Sequence, residues 1–285
     1  MSYNKIIIER KIKEFLEEDC NYKDVSASCI PDSAIVSAKI IAKSEGVVSG
    51  LYELEILYNI LKISPKFFKK DGEEVRAGDV LVELMGNARD ILLGERTGLN
   101  LLTHMSAISN TTRKYVKIIN KSGKKVKIAS TRKTIPGIRI FEKKAVEIGG
   151  GADTHRFNLD DMILLKDTHL KYFEGNVKAL LKSVKEQASF TKKIEIEIEN
   201  VGDVLIAAKN GADIIMLDNM SPDMIQDAID LLKKHNLRDK VIIEVSGGIS
   251  IENIVDYLIA EPDIISTGEL TLFPTEKVDF SLRFD

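Results

Sequence analysis

The spacing of apolar positions changes character near residue 104. Before it, MSYNKIIIERKIKEFLEEDC carries apolar residues at helical spacing. Two stretches of short alternating segments follow, AIVSAKIIAKSEGVVSG (34–50) and PKFFKKDGEEVRAGDVLVELMG (65–86). Asp71-Gly72 and Ala77-Gly78-Asp79 punctuate the second as turns, so this region reads as short strands joined by tight connections. A helix begins near Ala88 and runs through LLGERTGLNLLTHMSAIS, with Leu92, Leu99 and Leu102 at helical intervals. From Lys124 onward strands and helices alternate. Strands are predicted at 125–129, 162–165, 194–198, 214–217, 241–245 and 264–266. The helices between them group Phe141, Ala145 and Ile148; Val177, Leu180, Leu181 and Val184; Ile225, Ala228, Ile229 and Leu232; and Ile251, Ile254, Val255 and Leu258, each set on one face. Such alternation implies a parallel sheet, either closed as a barrel or open and doubly wound. No glycine-rich dinucleotide fingerprint follows the first of these strands, which favours the barrel.

In a barrel of this kind chemistry occupies the C-terminal strand ends and the loops after them. Here those ends read Ser130-Thr131-Arg132-Lys133, Lys166-Asp167-Thr168-His169, Glu197 with Glu199, Asp218-Asn219, Glu244 with Ser246, and Thr267-Gly268. In IEIEIEN, Ile194, Ile196 and Ile198 face one way and Glu195, Glu197 and Glu199 the other. At an open edge this is an ordinary wet face. In a barrel covered by helices the carboxylates must point inward and need cations, and Glu197 with Asp218 on the next strand suits a hard divalent ion such as Mg²⁺. The turn Ser246-Gly247-Gly248, before a helix expected from Ile251, offers backbone N–H groups and a helix terminus to an anion. With Gly268 it resembles the phosphate site that the last two loops of such barrels form. Arg132, Lys133, His155, Arg156 and Lys166 sit at strand ends or in loops containing Pro136-Gly137 and Gly149-Gly150-Gly151. Gathered, they make a cationic pocket for a small polyanion; dispersed, they are solvated charges facing Asp153, Asp160 and Asp161.

Composition narrows this picture. The 285 residues allow one large or two ordinary domains, and 44% hydrophobic residues is ample for a core. A formal charge of −3 leaves no basic surplus for nucleic acid or an anionic membrane surface, so any anion site is local. The two cysteines, Cys20 and Cys29, have no metal-ligand spacing with the four histidines and no disulfide framework; they read as buried small residues of a protein from the reducing cytoplasm. The N-terminus reads as neither a signal peptide nor a membrane span. His104, on the amphipathic helix, and His235, at a Lys-rich helix end, read as packing or solvated positions.

At these residues the chain resembles the quinolinate phosphoribosyltransferases, also called nicotinate-nucleotide pyrophosphorylases (carboxylating). The resemblance rests on ERTGLN (95–100), TRKTIPGIR (131–139), KKAVEIGGG (143–151), HRFNL (155–159), LLKDTHL (164–170), IEIE (194–197), ADIIMLDNM (212–220), EVSGGI (244–249) and STGELT (266–271). It implies transfer of phosphoribosyl from phosphoribosyl pyrophosphate to quinolinate with decarboxylation, giving nicotinate mononucleotide, pyrophosphate and CO₂. It further implies an N-terminal α/β sandwich over 1–104, to which 273–285 returns, and an incomplete (β/α) barrel over 105–272 carrying the active site. By the same resemblance Arg132, His155, Arg156 and Lys166 hold the quinolinate carboxylates, with Arg96 supplied by the second subunit of a homodimer, which allows assembly to a hexamer. Lys133 contacts the pyrophosphate donor; Glu197 and Asp218 serve Mg²⁺ and the ribose; Ser246, Gly247, Gly248 and Gly268 receive the 5′-phosphate. Lys133, Lys166, Glu197 and Asp218 are the implied catalytic set. Three positions depart from the family's habit: Ser130 where Asp often precedes TRK, Thr154 where Asn usually precedes HR, and Leu272 where His often follows. Relatives of the same fold that use nicotinate without decarboxylation, or that bind anions without catalysis, are the alternatives.

Overall fold

The computed structural model describes residues 3–152 and 155–285. Its strands are β1 (Ile35–Ala42), β2 (Gly46–Val47), β3 (Ser64–Phe67), β4 (Glu74–Val75), β5 (Val80–Asn87), β6 (Lys127–Ser130), β7 (Ile163–Leu165), β8 (Ile194–Ile198), β9 (Ile214–Asp218), β10 (Ile242–Ser246), β11 (Ile264–Thr267) and β12 (Phe280–Phe284). Its helices are α1 (Lys5–Asp19), α2 (Leu51–Ile60), α3 (Ala88–Ser122), α4 (Arg139–Ile148), α5 (Asp167–Tyr172), α6 (Val177–Gln187), α7 (Val201–Lys209), α8 (Pro222–Lys234), α9 (Ile254–Leu258) and α10 (Glu269–Leu272). They divide into two compact units. Unit 1 runs to Thr112 and includes Pro136–Gly150 and Pro274–Asp285; unit 2 is Arg113–Ile135 with Gly151–Phe273.

Unit 1 is built on an antiparallel sheet of order β12-β1-β5-β3. Alternation along β1 buries Ala38, Ile40 and Ala42, while on its other face Lys39 reaches Asp285 at 2.6 Å. Helix α1 is started by the Asn4 side chain, which accepts the Ile6 N–H at 3.0 Å, and it buries Ile8, Ile12 and Leu16 at i, i+4 intervals. The first N–H groups of α2 are held by Asp71, whose Oδ1 accepts from Gly50 at 2.8 Å and Leu51 at 2.9 Å. Helices α2 and α3 approach so closely that a Cβ on Gly98 would lie 2.9 Å from Leu54 Cδ2, and one on Gly94 2.8 Å from Leu57 Cδ2. That contact accounts for two glycines inside an otherwise helical run. Helix α4, which the alternating pattern places among the barrel elements, belongs to unit 1. Ser109 donates to the Ala145 carbonyl at 2.7 Å, and Lys144 meets the fully buried Glu53 at 2.7 Å. A helical face carries no label for the sheet it will cover, so sequence alternation alone misassigns it.

Unit 2 is a six-stranded parallel sheet of order β6-β11-β10-β9-β8-β7. Strands β7 to β11 are neighbours in chain order, and β11 returns to pair with β6, Ile264 opposite Lys127. The far edge of β6 has, among the described residues, only an isolated parallel bridge from Ala129 to Ala152. The circle is therefore an incomplete barrel, open between β6 and β7. Helices α6, α7 and α8 begin at Asn176, Asn200 and Ser221, whose side chains accept the N–H of Ala179, Asp203 and Met224. Their inner faces, including Leu180, Leu181, Val204, Ala207, Ile225 and Ile229, are buried. Four strands run one residue past their predicted ends, which brings Ser130, Asp218, Ser246 and Thr267 into the ends of the sheet.

Two expectations are corrected. Helix α9 begins at Ile254, not Ile251, and has five residues; Val255 is 55% exposed while Ile254 and Leu258 are buried. Turn residues precede it, so the glycine turn lacks the substantial helix terminus expected for it. Cys29 is exposed and free, its Sγ lying 3.2 Å from the Ser26 carbonyl, and Cys20 is half-buried. No helix among the described residues is long and apolar enough to cross a membrane.

Candidate active site

The C-terminal strand ends of unit 2 gather every predicted site residue except Arg96. Depth along β8 sorts its three inward carboxylates: Glu195 is fully buried, the Glu197 side chain is 13% exposed and Glu199 is exposed. Lys166, just after β7, donates to Glu197 Oε1 at 3.2 Å. Burial raises the proton affinity of Glu197 and Asp218 above the usual carboxylate range; Lys166 opposes the shift at Glu197, whereas Glu199 reinforces it at Asp218. Asp218 also repels Glu197. Two carboxylates on adjacent strands, desolvated and repelling, form an oxygen donor set that a hard divalent cation would relieve, so they fit Mg²⁺.

Arg132, His155 and Arg156 lie at the same barrel end. His155 and Arg156 are buried, and each guanidinium, of Arg132 and of Arg156, keeps a buried Nε without a hydrogen-bond partner. Burial depresses the Arg156 pKa from its ordinary value, and the neighbouring Arg132 depresses it further, against the pull of Glu195 and Glu197. Two like charges with unsatisfied buried donors are costly unless an anion completes them. Planar donors of this kind match carboxylates.

The phosphate turn forms through close backbone approach. Gly247 has φ +95, and a Cβ there would lie 2.3 Å from Asn219 Oδ1; the Asn219 N–H donates to the Ser246 carbonyl at 3.0 Å. The turn is braced by Asn253, whose Nδ2 donates to the Gly248 carbonyl at 2.9 Å, and by Thr267, whose hydroxyl donates to the Ile249 carbonyl at 2.9 Å. Lys133 lies along Gly268, where a Cβ would come 3.2 Å from its own Cβ. Thr271 ties down the same residue by donating to the Lys133 carbonyl at 2.7 Å. Lys133 also lowers the proton affinity of Asp218, so the cation links the phosphate turn to the carboxylates.

Beneath this layer lies a group of acids to which the sequence reading gave no role. Glu244 is 2% exposed, accepts from the Ser266 hydroxyl at 2.5 Å and sits 3.2 Å from His155 Nδ1. Glu195 Oε2 is 3.9 Å from the same nitrogen. Burial, with Glu244 next in weight, pushes Glu195 up to about 9. Oxygen and nitrogen atoms of His155, Glu195 and Glu244 all lie within 4.8 Å of one another, close enough to share one cation or one proton. The available signal was a single Glu inside the apolar strand VIIEVS: an acid buried in a barrel interior requires partners.

Other candidates resolve differently. Arg96 belongs to unit 1, exposed beside a cavity lined by Asn100, Thr103 and His104. His104 pairs with the buried Glu142 at 3.0 Å, a packing role. His169 Nδ1 accepts the Lys166 N–H at 3.0 Å and so starts α5. Ser130 is buried, and nothing in the structure explains Leu272. Thr154 and Asp153 lie outside the described residues.

Comparison with known proteins bears on both units. The family model for the N-terminal domain of quinolinate phosphoribosyl transferase matches residues 24–106, and that for its C-terminal domain matches residues 108–283. A probable nicotinate-nucleotide pyrophosphorylase [carboxylating] of Archaeoglobus fulgidus is 45% identical over 262 residues, covering 92% of this chain and 98% of the relative. The nicotinate-nucleotide pyrophosphorylase [carboxylating] of Dictyostelium discoideum is 37% identical, covering 98% and 96%. Among solved structures, the nicotinate-nucleotide pyrophosphorylase from Francisella tularensis superposes with a TM-score of 0.89 at 34% identity, covering 100% of this chain and 98% of that one.

Proposed function

Because the chain belongs to the quinolinate phosphoribosyltransferase family, we propose that it transfers the phosphoribosyl group of phosphoribosyl pyrophosphate to the ring nitrogen of quinolinate and releases CO₂, pyrophosphate and nicotinate mononucleotide, a step of de novo NAD biosynthesis. The observation that carries this reading is the pair of buried, unpartnered Nε donors on Arg132 and Arg156, in the same unit as Lys166 and the Ser246-Gly247-Gly248 turn. Quinolinate brings two adjacent carboxylates to such a pocket, and the donor brings a 5′-phosphate.

The chain's residues divide the work by depth. Arg132, His155 and Arg156 hold the acceptor's carboxylates and so aim its ring nitrogen at the anomeric carbon; positioning of this kind supplies much of the rate in an exchange that needs no covalent enzyme intermediate. As the bond to pyrophosphate breaks, positive charge develops on the sugar, and Glu197 and Asp218 face it with negative charge. Lys166 holds Glu197 in place. Lys133, packed along Gly268, screens the charge of the departing pyrophosphate. Ser246, Gly247, Gly248 and Gly268 receive the 5′-phosphate through backbone N–H groups. Glu197 and Asp218 would hold Mg²⁺, which when bound screens the pyrophosphate charge. Loss of CO₂ breaks the bond between the ring carbon and the carboxyl next to the nitrogen; its electron pair stays on that carbon beside the pyridinium and then takes a solvent proton. The cations orient the leaving carboxylate without protonating it.

The active species is a homodimer in which Arg96 of a second copy completes each acceptor site, working in the cytoplasm; two free cysteines accord with that compartment. The test is one assay with quinolinate or nicotinate as acceptor, phosphoribosyl pyrophosphate and Mg²⁺ present, following nicotinate mononucleotide and CO₂ together. Equal amounts of both from quinolinate support the reading. Product from nicotinate alone, without CO₂, refutes it.

A further inference from the structure

Among the described residues, five that are not glycine have positive φ: Lys62, Glu174, Asn219, Asn236 and Glu261. Four of them lie just past the ends of α2, α5, α8 and α9, where a left-handed residue commonly closes a helix. Asn219, at φ +53, instead follows strand β9. No helix end calls for that conformation there, and glycine would adopt it without strain. The Asn219 side chain is exposed, so packing in the core does not account for it either.

The contacts of the amide account for it. Its Nδ2 donates to Asp218 Oδ2 at 3.0 Å. Its other end lies against the phosphate turn, where Oδ1 would be 2.3 Å from a Cβ on Gly247. Reversing the amide would set its oxygen against a carboxylate oxygen, so the donor belongs on the Asp218 side. The backbone ties the same two segments together: the Asn219 N–H donates to the Ser246 carbonyl at 3.0 Å, one step beyond the pairing of Asp218 with Ser246. One residue thus touches both a carboxylate of the site and the turn expected to take the 5′-phosphate.

We infer that Asn219 is a positioning residue for the phosphoribosyl donor, a spacer that fixes the Asp218 carboxylate relative to the Ser246-Gly247-Gly248 turn so that the ribose and its 5′-phosphate are gripped at one separation. The inference rests on the reading of Asp218 and the turn as the donor site. It requires Asn219 to matter to a ligand that spans both grips and not to one that uses the turn alone, nor to the acceptor.

Asn219→Gly keeps the left-handed backbone and its N–H but deletes the amide. Calorimetry in EDTA with two probes reads the difference: the dissociation constant of ribose 5-phosphate rises about tenfold, the loss of a hydrogen bond to a charged group, while that of inorganic phosphate changes less than about twofold. In steady state with Mg²⁺ the KM for phosphoribosyl pyrophosphate rises about tenfold, the KM for quinolinate stays within about twofold, and the melting temperature is unchanged. Asn219→Asp, of the same shape but with an oxygen facing Asp218, loses more than Asn219→Gly. In an Asp218→Ala background Asn219→Gly adds nothing further to the loss of ribose 5-phosphate, the signature of one residue acting through the other. Equal weakening of the two probes, a matching rise in the KM for quinolinate, or an undiminished effect in the Asp218→Ala background overturns the inference. If Asp218→Ala itself leaves ribose 5-phosphate binding and the KM for phosphoribosyl pyrophosphate at their wild-type values, the donor-site reading fails and the inference with it; if it weakens them while Asn219→Gly is silent, only the inference fails.

Discussion

Replacing Gly247 with alanine tests whether the Ser246-Gly247-Gly248 turn is the phosphate site. At φ +95 an alanine pays the left-handed penalty, about 1–2 kcal/mol for an L residue. The larger effect is steric. Its Cβ would stand 2.3 Å from Asn219 Oδ1 and 2.8 Å from the Asn219 backbone nitrogen, and a backbone atom cannot swing aside. The turn must therefore back away from Asn219 by something approaching 1 Å, and a misplacement of about 1 Å at a positioning element costs roughly 100-fold in rate. Gly248 supplies the control: its φ is +63, but nothing lies within 4 Å of its added Cβ, so alanine there brings only backbone strain. Steady-state rates with phosphoribosyl pyrophosphate varied at saturating quinolinate should show kcat/KM reduced about 30- to 100-fold in Gly247→Ala and less than about fivefold in Gly248→Ala. Melting curves check that both variants fold. Equal effects of the two substitutions, or a Gly247→Ala defect confined to the KM of quinolinate, would refute the placement of the phosphate.

Lys144→Met leaves the fully buried Glu53 without its ion pair, for which denaturant unfolding should register a loss of about 3–5 kcal/mol, smaller when Glu53→Gln accompanies it. Because burial holds the Glu195 pKa near about 9 in the folded chain, the stability linked to its proton is complete below the ordinary glutamate range and is lost as pH rises through about 9. Melting temperature followed from pH 6 to 10 should thus decline more steeply in the wild type than in Glu195→Gln, and parallel curves would count against a protonated Glu195. Chelation of divalent ions should abolish turnover while leaving the far-ultraviolet circular dichroism unchanged, and Glu197→Gln should raise the Mg²⁺ concentration giving half-maximal rate; turnover that persists in EDTA removes the metal from these carboxylates.

The barrel strands were legible because Ile- and Val-rich runs are bounded by polar residues and glycine, and because a parallel sheet buries both faces of each strand. Their polar ends disclosed the site for the same reason: Asp218 and Ser246 terminate runs that otherwise contain almost no charge. Depth was not legible. Glu195, Glu197 and Glu199 are equivalent in a period-two pattern, yet one is sealed in the barrel, one meets Lys166 and one is exposed, since only the closure of the sheet decides how far each lies from water. The network of His155 with Glu244 and Ser266 was hidden because its members come from three separate segments. The turn ahead of Ile254 was missed because Ile251 continues the helical spacing by chance, and Cys29 because a small apolar residue reads as buried wherever it falls. Amphipathicity tells that α4 covers something apolar; it does not tell which unit.

Strand β12 sets residues 280–284 against residues 38–42 of β1, and this has a consequence for synthesis on the ribosome. Every strand of unit 2 emerges before β12 does, so that unit can complete its sheet while β1 still presents a bare edge. Closure of unit 1 waits for residues translated after every strand of unit 2 and pays the loop entropy of a very long intervening chain. Throughout the emergence of unit 2 the nascent chain thus carries an unpaired strand open to neighbouring chains, and that edge, rather than the slower-looking barrel, is where crowding on a polysome would first cause mispairing.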